Sequence, residues 1–166
     1  MELRLIAAAL LFNGEDLLMM KRSEKRTLNP GLWAAVGGHV EPDELAYPMR
    51  ACLREIYEET GFDAHEIHDL RLRYILLRNN KGEFRQQFIY TGHVARRDCH
   101  ATDEGELHWI PVREMLQRPL PYIFEEMLKH YAAHRHDKHV WMGTAIRDEA
   151  ADARVVVWTP LTDPNY

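Results

Sequence analysis

The chain has 166 residues, of which 46% are hydrophobic and 28% charged, with a formal net charge of −5. This length and composition fit a single folded domain, residues 1–166, with a sizeable core. The negative charge argues against a nucleic-acid polymer as the main partner, and no run approaches the roughly 20 apolar residues that cross a bilayer. The two cysteines form no CxxC pair, which favours a reducing cytoplasm.

Two apolar runs open the chain, residues 3–12 and 17–22, with Asn13-Gly14 between them. Asn-Gly is a strong signal for a hairpin turn, so we predict two adjacent antiparallel strands. The second strand ends at Arg22, whose side chain is expected to point toward the glycine pair that follows.

Residues 32–36 predict a short strand that leads into Gly37-Gly38. Trp33 in this strand either packs in the core or stacks on a base. A glycine pair lets the backbone approach a ligand closely, and its carbonyl groups are available to a metal ion. We therefore include both glycines among the candidate binding residues.

Residues 48–60 predict a helix, because Pro48 suits a first turn and Gly61 suits a left-handed C-cap. Met49, Leu53, Ile56 and Thr60 have the spacing of a buried stripe.

Glu55, Glu58 and Glu59 fall on the opposite face of this helix. At about 6 Å and an effective dielectric of ~20, the electrostatic repulsion within each pair of these carboxylates is roughly 3 kcal/mol. Arg54 offsets part of this repulsion, and a divalent cation such as Mg²⁺ would offset the rest.

The segment from Gly38 to Phe62 resembles the Nudix box, G-x5-E-x7-R-E-U-x-E-E-x-G-U, in which U is a bulky aliphatic residue. Arg54, Glu55, Glu58, Glu59 and Gly61 match its second half. Nine residues separate Glu44 from Arg54 where the family has seven, which leaves the role of Glu44 open.

The resemblance implies an α/β fold, an α/β/α sandwich around a mixed sheet, and Mg²⁺ (or Mn²⁺) as cofactor. It implies hydrolysis of a small nucleotide, a nucleoside diphosphate linked to another group, with an oxidised nucleoside triphosphate as one candidate. The expected metal ligands are Gly38, Glu55, Glu58, Glu59 and Glu104. Glu59, Glu55 and Glu104 are candidates for the general base, Arg54 is expected to orient the glutamates, and Arg22 is expected to contact a substrate phosphate.

Residues 70–78 and 84–95 predict two strands joined by a turn at 79–82. Arginines and aromatic residues are spread over this pair, and they either line a substrate cleft or cover a sheet edge. Tyr74 and Phe88 are the candidate substrate contacts among them.

Residues 102–111 resemble the Nudix segment in which a loop glutamate supplies a further ligand or base. Glu104, just before Gly105, matches best, and Glu106 is the substitute.

The C-terminal part predicts a short helix at 112–117, a longer helix at 121–134 and a hairpin of strands 139–146 and 153–159. The hairpin extension, about residues 137–166, lies beyond a Nudix core of about residues 1–136, and it is apolar enough to pack on the core or on a second subunit as a homodimer. Four histidines, His130, His134, His136 and His139, lack the context of a zinc site, so we expect a polar helix end.

A different class of function is a catalytically silent Nudix domain that binds a nucleotide as a sensor. The two extra residues before the helix favour this alternative, and the complete set of glutamates favours the hydrolase.

Overall fold

The computed structural model describes residues 2–80, 82–100 and 102–162. Position 81 of the predicted turn and the last four residues of the predicted extension lie outside the described residues. The strands are β1 (Glu2–Asn13), β2 (Asp16–Arg22), β3 (Trp33–Ala34), β4 (Val36–His39), β5 (Ile67–Asn80), β6 (Glu83–Val94), β7 (Gly105–Pro111), β8 (Val140–Asp148) and β9 (Ala153–Leu161). The α helices are α1 (Pro48–Thr60) and α2 (Tyr122–His134).

These strands form one mixed sheet in the order β3-β2-β1-β6-β5-β8-β9. Strand β4 also pairs with β1, and β7 pairs with β2. The β1–β6 and β5–β8 pairs are parallel, and the other pairs are antiparallel. The predicted mixed sheet is therefore confirmed.

Strand β1 is buried on both faces, which explains its nearly continuous apolar sequence. Its odd-numbered residues Ala7, Ala9 and Leu11 belong to the core under α1. Its even-numbered residues, such as Leu10 and Phe12, belong to the core under α2. The period of two along a strand thus divides the interior into two layers, as the predicted sandwich requires.

Helix α1 begins and ends as predicted, and Gly61 has a φ of 76° with its N–H bonded to the Tyr57 carbonyl. The predicted buried stripe was partly wrong, because Met49 is 39% exposed. Ile56 and Thr60 are buried as predicted, but Cys52 and Glu59 also face inward. Compared with the predicted orientation, the helix is rotated about its axis so that Glu59 lies at the edge of the core.

Two shorter elements differ from prediction. Residues 112–117 form a 3₁₀ segment, and residues 105–111 form strand β7 where a loop was expected. Burial alternates along β7, since Gly105, Leu107 and Trp109 are half-buried and Glu106 and His108 are exposed. Because β7 pairs along the whole of β2, the residue just before it is held beside Arg22.

The predicted C-terminal hairpin is confirmed, with β8 and β9 paired from Val140↔Leu161 to Asp148↔Ala153. It extends the sheet because β8 runs parallel to β5. The Trp158 ring packs edge-on against Tyr74 at 5.6 Å between centroids. The hairpin therefore packs on the α2 side of the core, and a homodimer through it stays a prediction.

The end of α2 is less polar than predicted. His130 stacks on Trp158 at 4.3 Å and on His134 at 4.2 Å, and its Nδ1 lies 3.1 Å from the Tyr74 hydroxyl. Burial, reinforced by His134 and Arg73, lowers the pKa of His130 to about 4. This imidazole is therefore neutral in the folded protein at pH 7.

None of the helices within the described ranges has the length and apolar character needed to cross a membrane.

We predict that His130 makes the fold sensitive to acid. Its folded pKa of about 4 lies below the unfolded value of 6.5, so the unfolded chain binds more protons between these pH values. Its contribution to stability is complete above about pH 6.5 and is lost as the pH falls toward 4. Thermal unfolding at pH 7 and pH 5 should show a smaller acid-induced drop in Tm for His130→Gln than for the unchanged chain. The exposed-site control His136→Gln should behave like the unchanged chain, and equal drops in all three would contradict the prediction.

Candidate active site

Arg54 on α1 joins the loop before the helix to the acidic residues on the helix. Its Nε and Nη2 donate to the two carboxylate oxygens of Glu44, each at 2.9 Å. Its Nη1 donates to Glu55 at 2.8 Å and lies 3.4 Å from Glu58, and Nη2 also donates to the His39 carbonyl. A planar guanidinium suits such two-point binding of a carboxylate. Arg54 thus contacts three glutamates at once, and its orienting role stays a prediction.

The structure shows where Glu44 lies despite the two extra residues between it and Arg54. This side chain is 6% exposed, and the Glu41 amide donates to it at 3.0 Å. Its hydrogen bond to Arg54 is the main reason that its pKa is lowered to about 2. Residues 45–47 bridge the 3₁₀ turn at Pro42–Glu44 and α1, so the longer connection leaves the Glu44–Arg54 pair intact.

The glycine pair lies directly against two of the glutamates. The Gly37 amide donates to Glu59 Oε2 at 2.8 Å. A Cβ on Gly37 would clash with the backbone of Ala7 and Ala8, and a Cβ on Gly38 would clash with the Glu55 carboxylate. Position 37 therefore requires glycine, because the backbone of β1 cannot give way, whereas a side chain at position 38 would displace the Glu55 carboxylate. Since its amide is bound to Glu59, Gly37 does not offer that N–H to a substrate.

Glu59 and Glu104 meet at the end of α1. Glu59 is 5% exposed, and its burial, followed by the charges of Glu104 and Glu55, raises its pKa to about 8 against the lowering effect of the Gly37 amide. The pKa of Glu55 is also raised, chiefly by burial. These carboxylates are therefore close enough for their negative charges to oppose one another.

Glu104 is held at this place by two neighbours from the loop after β2. Its carbonyl accepts a hydrogen bond from the Ser23 amide at 3.0 Å, and its carboxylate lies 3.6 Å from the Arg26 guanidinium. The alternative residue, Glu106, has a 76% exposed side chain beside His108. The sequence reasoning missed Arg26, although the basic pair Lys25-Arg26 was its signal.

We call Glu55, Glu58, Glu59 and Glu104 the carboxylate cluster. Glu58 is its most exposed member, with 55% of its side chain accessible. Within the described ranges, no three His, Cys, Asp or Glu side chains already have the arrangement of a formed metal site. The donor set nonetheless fits a hard cation, because it consists of carboxylate oxygens whose mutual repulsion a divalent ion would relieve.

Two predicted substrate contacts were wrong. Tyr74 is fully buried because β5 turns it toward α2, where it contacts His130 and Trp158. Trp33 is 9% exposed and packs in the same core, with Arg118 over its ring at 5.3 Å. Neither ring has a face available to stack on a base.

Two other predicted contacts stay predictions. Arg22 Nε donates to the Leu28 carbonyl at 3.0 Å, so this side chain braces the loop after β2. Phe88 is half-buried on the α1 side of the sheet, which is the side that carries the carboxylate cluster.

The NUDIX domain family model matches residues 2–132. The chain belongs to the Nudix hydrolase family. It is 30% identical over 122 residues to the CTP pyrophosphohydrolase of Escherichia coli K12. The matched segment covers 71% of this chain and 82% of that enzyme. The MutT protein of Methanosarcina mazei Go1 has a similar structure, with a TM-score of 0.69, 24% identity, and coverage of 82% of this chain and 97% of that one.

A shorter similarity is found to the m7GpppN-mRNA hydrolase NUDT17 of Bos taurus, at 38% identity over 56 residues. That match spans 34% of this chain and only 18% of the cattle protein. It is therefore confined to a segment about one third the length of this Nudix chain.

We predict that the Glu44–Arg54 pair stabilises the Nudix fold. Glu44→Gln should lower the free energy of unfolding at pH 7 by about 2 kcal/mol, because the buried partner of a guanidinium loses its charge. Urea unfolding measures this change. The neighbouring exposed substitution Asp43→Asn is the matched control and should change stability by less than about 0.5 kcal/mol. Equal effects of the two substitutions would contradict the structural role of Glu44.

Proposed function

We propose that this protein is a Mg²⁺-dependent hydrolase, with Mn²⁺ as a substitute, that cleaves the pyrophosphate bond of a nucleoside diphosphate linked to another group. The carboxylate cluster beside Gly37-Gly38 is the observation that carries the proposal. Arg54 cannot neutralise this cluster, because its single positive charge is shared between Glu44, which lies outside the cluster, and Glu55 within it. A divalent cation supplies the missing positive charge, and the phosphates of a substrate would share it.

The residues that would hold the cation are the four glutamates of the cluster and the Gly38 carbonyl. When bound, such an ion polarises the phosphoryl group and lowers the pKa of water. Arg54 keeps Glu55 in position, and the Gly37 amide keeps Glu59 in position. Burial of Glu59 excludes bulk water from the inner side of the cluster.

The proton of the attacking water passes to one of the carboxylates. Glu55, Glu59 and Glu104 are the candidates for this base, because all three lie near one another at the inner side of the cluster. Glu104 differs from the others in coming from a separate segment, the residue before β7. Substitution of Glu104 therefore tests the base with least disturbance of α1.

A nucleoside triphosphate is the substrate class that we favour. The support is the 30% identity to a protein named CTP pyrophosphohydrolase over most of the length of that enzyme. An oxidised nucleoside triphosphate is the narrower version of this proposal. We also propose that the protein acts in the cytoplasm as one domain, since Cys52 and Cys99 are free and β8 continues the sheet beside β5.

We predict that Glu59→Gln reduces metal-dependent turnover at least 100-fold while the chain stays folded, because a carboxylate that binds the ion or accepts the proton is lost. Phosphate or nucleotide release should be measured with and without Mg²⁺ on a panel of normal and oxidised triphosphates, ADP-ribose, nucleotide sugars and dinucleoside polyphosphates. Glu104→Gln should also be impaired. The matched control is Glu106→Gln, which removes an exposed carboxylate two residues away and should retain activity.

Full activity of the Glu59→Gln variant would refute the proposed chemistry. Nucleotide binding by the unchanged chain without turnover of any member of the panel would instead favour a sensor.

A further inference from the structure

A cavity of about 730 Å³ lies between the loop after β2, the end of β5, the start of α2 and the C-terminal hairpin. This volume is in the range of cavities that hold small-molecule ligands. The apolar part of its lining includes Leu28, Leu32, Leu120, Pro121, Ile123 and Ile146. Such a surface accommodates an uncharged ring or a sugar but gives a ligand no charge selectivity.

Three arginines from three different strands add positive charge to this cavity. They are Arg78 of β5, Arg147 of β8 and Arg154 of β9. Arg147 pairs with Asp152, and Arg154 lies over the Tyr122 ring at 4.4 Å. The carboxylate in the lining is Glu125, which Lys129 already binds at 2.7 Å. The cavity therefore has a positive excess.

Arg78 is the arginine whose environment most favours an added anion. Its Nε is buried and has no hydrogen-bond partner among the residues that the structure describes. Burial, followed by the charge of Arg85, lowers the pKa of this guanidinium. The Nε itself is shielded from the cavity, so an anion there would bind this guanidinium through its outer nitrogens.

One loop links this cavity to the carboxylate cluster. Leu28, Asn29 and Leu32 line the cavity, and Arg26 of the same loop lies 3.6 Å from Glu104. Arg22 fixes the loop between them through the Leu28 carbonyl. The loop therefore contributes residues to both the cluster and the cavity.

The hairpin adds to this cavity a wall that lies outside the matched domain. The family match ends at residue 132, whereas Arg147 and Arg154 belong to β8 and β9. We propose that the cavity walled by this hairpin binds an anionic group, a phosphate or a carboxylate, that the substrate carries away from its pyrophosphate. This inference rests on the proposed function and names a class of substrate for it.

Matched pairs of nucleotides test this proposal through binding alone. The probes are ADP-ribose with its 2′-phosphate derivative, and UDP-glucose with UDP-glucuronate, titrated calorimetrically into the full-length protein in the presence of Ca²⁺ in place of Mg²⁺. For at least one pair, the member with the additional anionic group should bind about tenfold more tightly, as expected for hydrogen bonds to a charged group.

The double substitution Arg147→Met with Arg154→Met should reduce that ratio to about twofold or less, and Arg154→Lys should retain most of it. The matched control is Arg113→Met, which removes one positive charge from an 83% exposed side chain that does not line the cavity. This control should leave the ratio unchanged.

Equal binding of both members of each pair by the unchanged chain would overturn the proposal. A ratio that survives the double substitution would overturn it too. Loss of turnover in Glu59→Gln combined with either of these results would leave the proposed hydrolysis intact and reject only the anion site. Charge-dependent binding by the unchanged chain without turnover would support the anion site and reject the proposed hydrolysis.

Discussion

The Arg54 guanidinium is the contact on which the carboxylate cluster depends. It binds both oxygens of buried Glu44 on one side and an oxygen of Glu55 on the other. Because the Glu41 amide fixes Glu44, the loop before α1 and the helix are held together. Like charges on one face of a helix repel one another, so a fixed cation among them keeps their positions defined. The same engagement leaves the cluster short of positive charge, which is the basis of the proposed metal-dependent chemistry.

Strand β1 and the loop after β2 relate this cluster to the rest of the molecule. The backbone of β1 lies against Gly37 and Gly38 and so sets how closely the glycine pair approaches α1. The loop contacts Glu104 through Arg26 and also lines the large cavity. The hairpin closes the far side of that cavity because β8 continues the sheet beside β5. A change in this loop would therefore affect both the carboxylate cluster and the cavity.

Local signals in the sequence were sufficient for much of the fold and for the carboxylate face of α1. Asn13-Gly14, Pro48 and Gly61 mark a hairpin and the ends of α1 through their own backbone preferences. Tyr74 and Met49 could not be placed in this way, because the face that becomes buried depends on how helices pack on the sheet. Strand β7 was predictable in principle, because Leu107 and Trp109 alternate with polar residues, but the stretch was interpreted through its resemblance to a segment with a loop glutamate. The cavity could not be predicted, because its walls come from segments more than 100 residues apart.

Binding of Mn²⁺ to the metal-free protein, followed by paramagnetic broadening of backbone amide NMR signals, tests the central claim most directly. The account predicts one tight site whose broadening is strongest at Gly38, Glu55, Glu59 and Glu104 and is absent from the β8–β9 turn. It also predicts that Mg²⁺ competes for this site. Broadening centred on the histidines at the end of α2, or no saturable binding at all, would contradict the assignment of the carboxylate cluster as the metal centre.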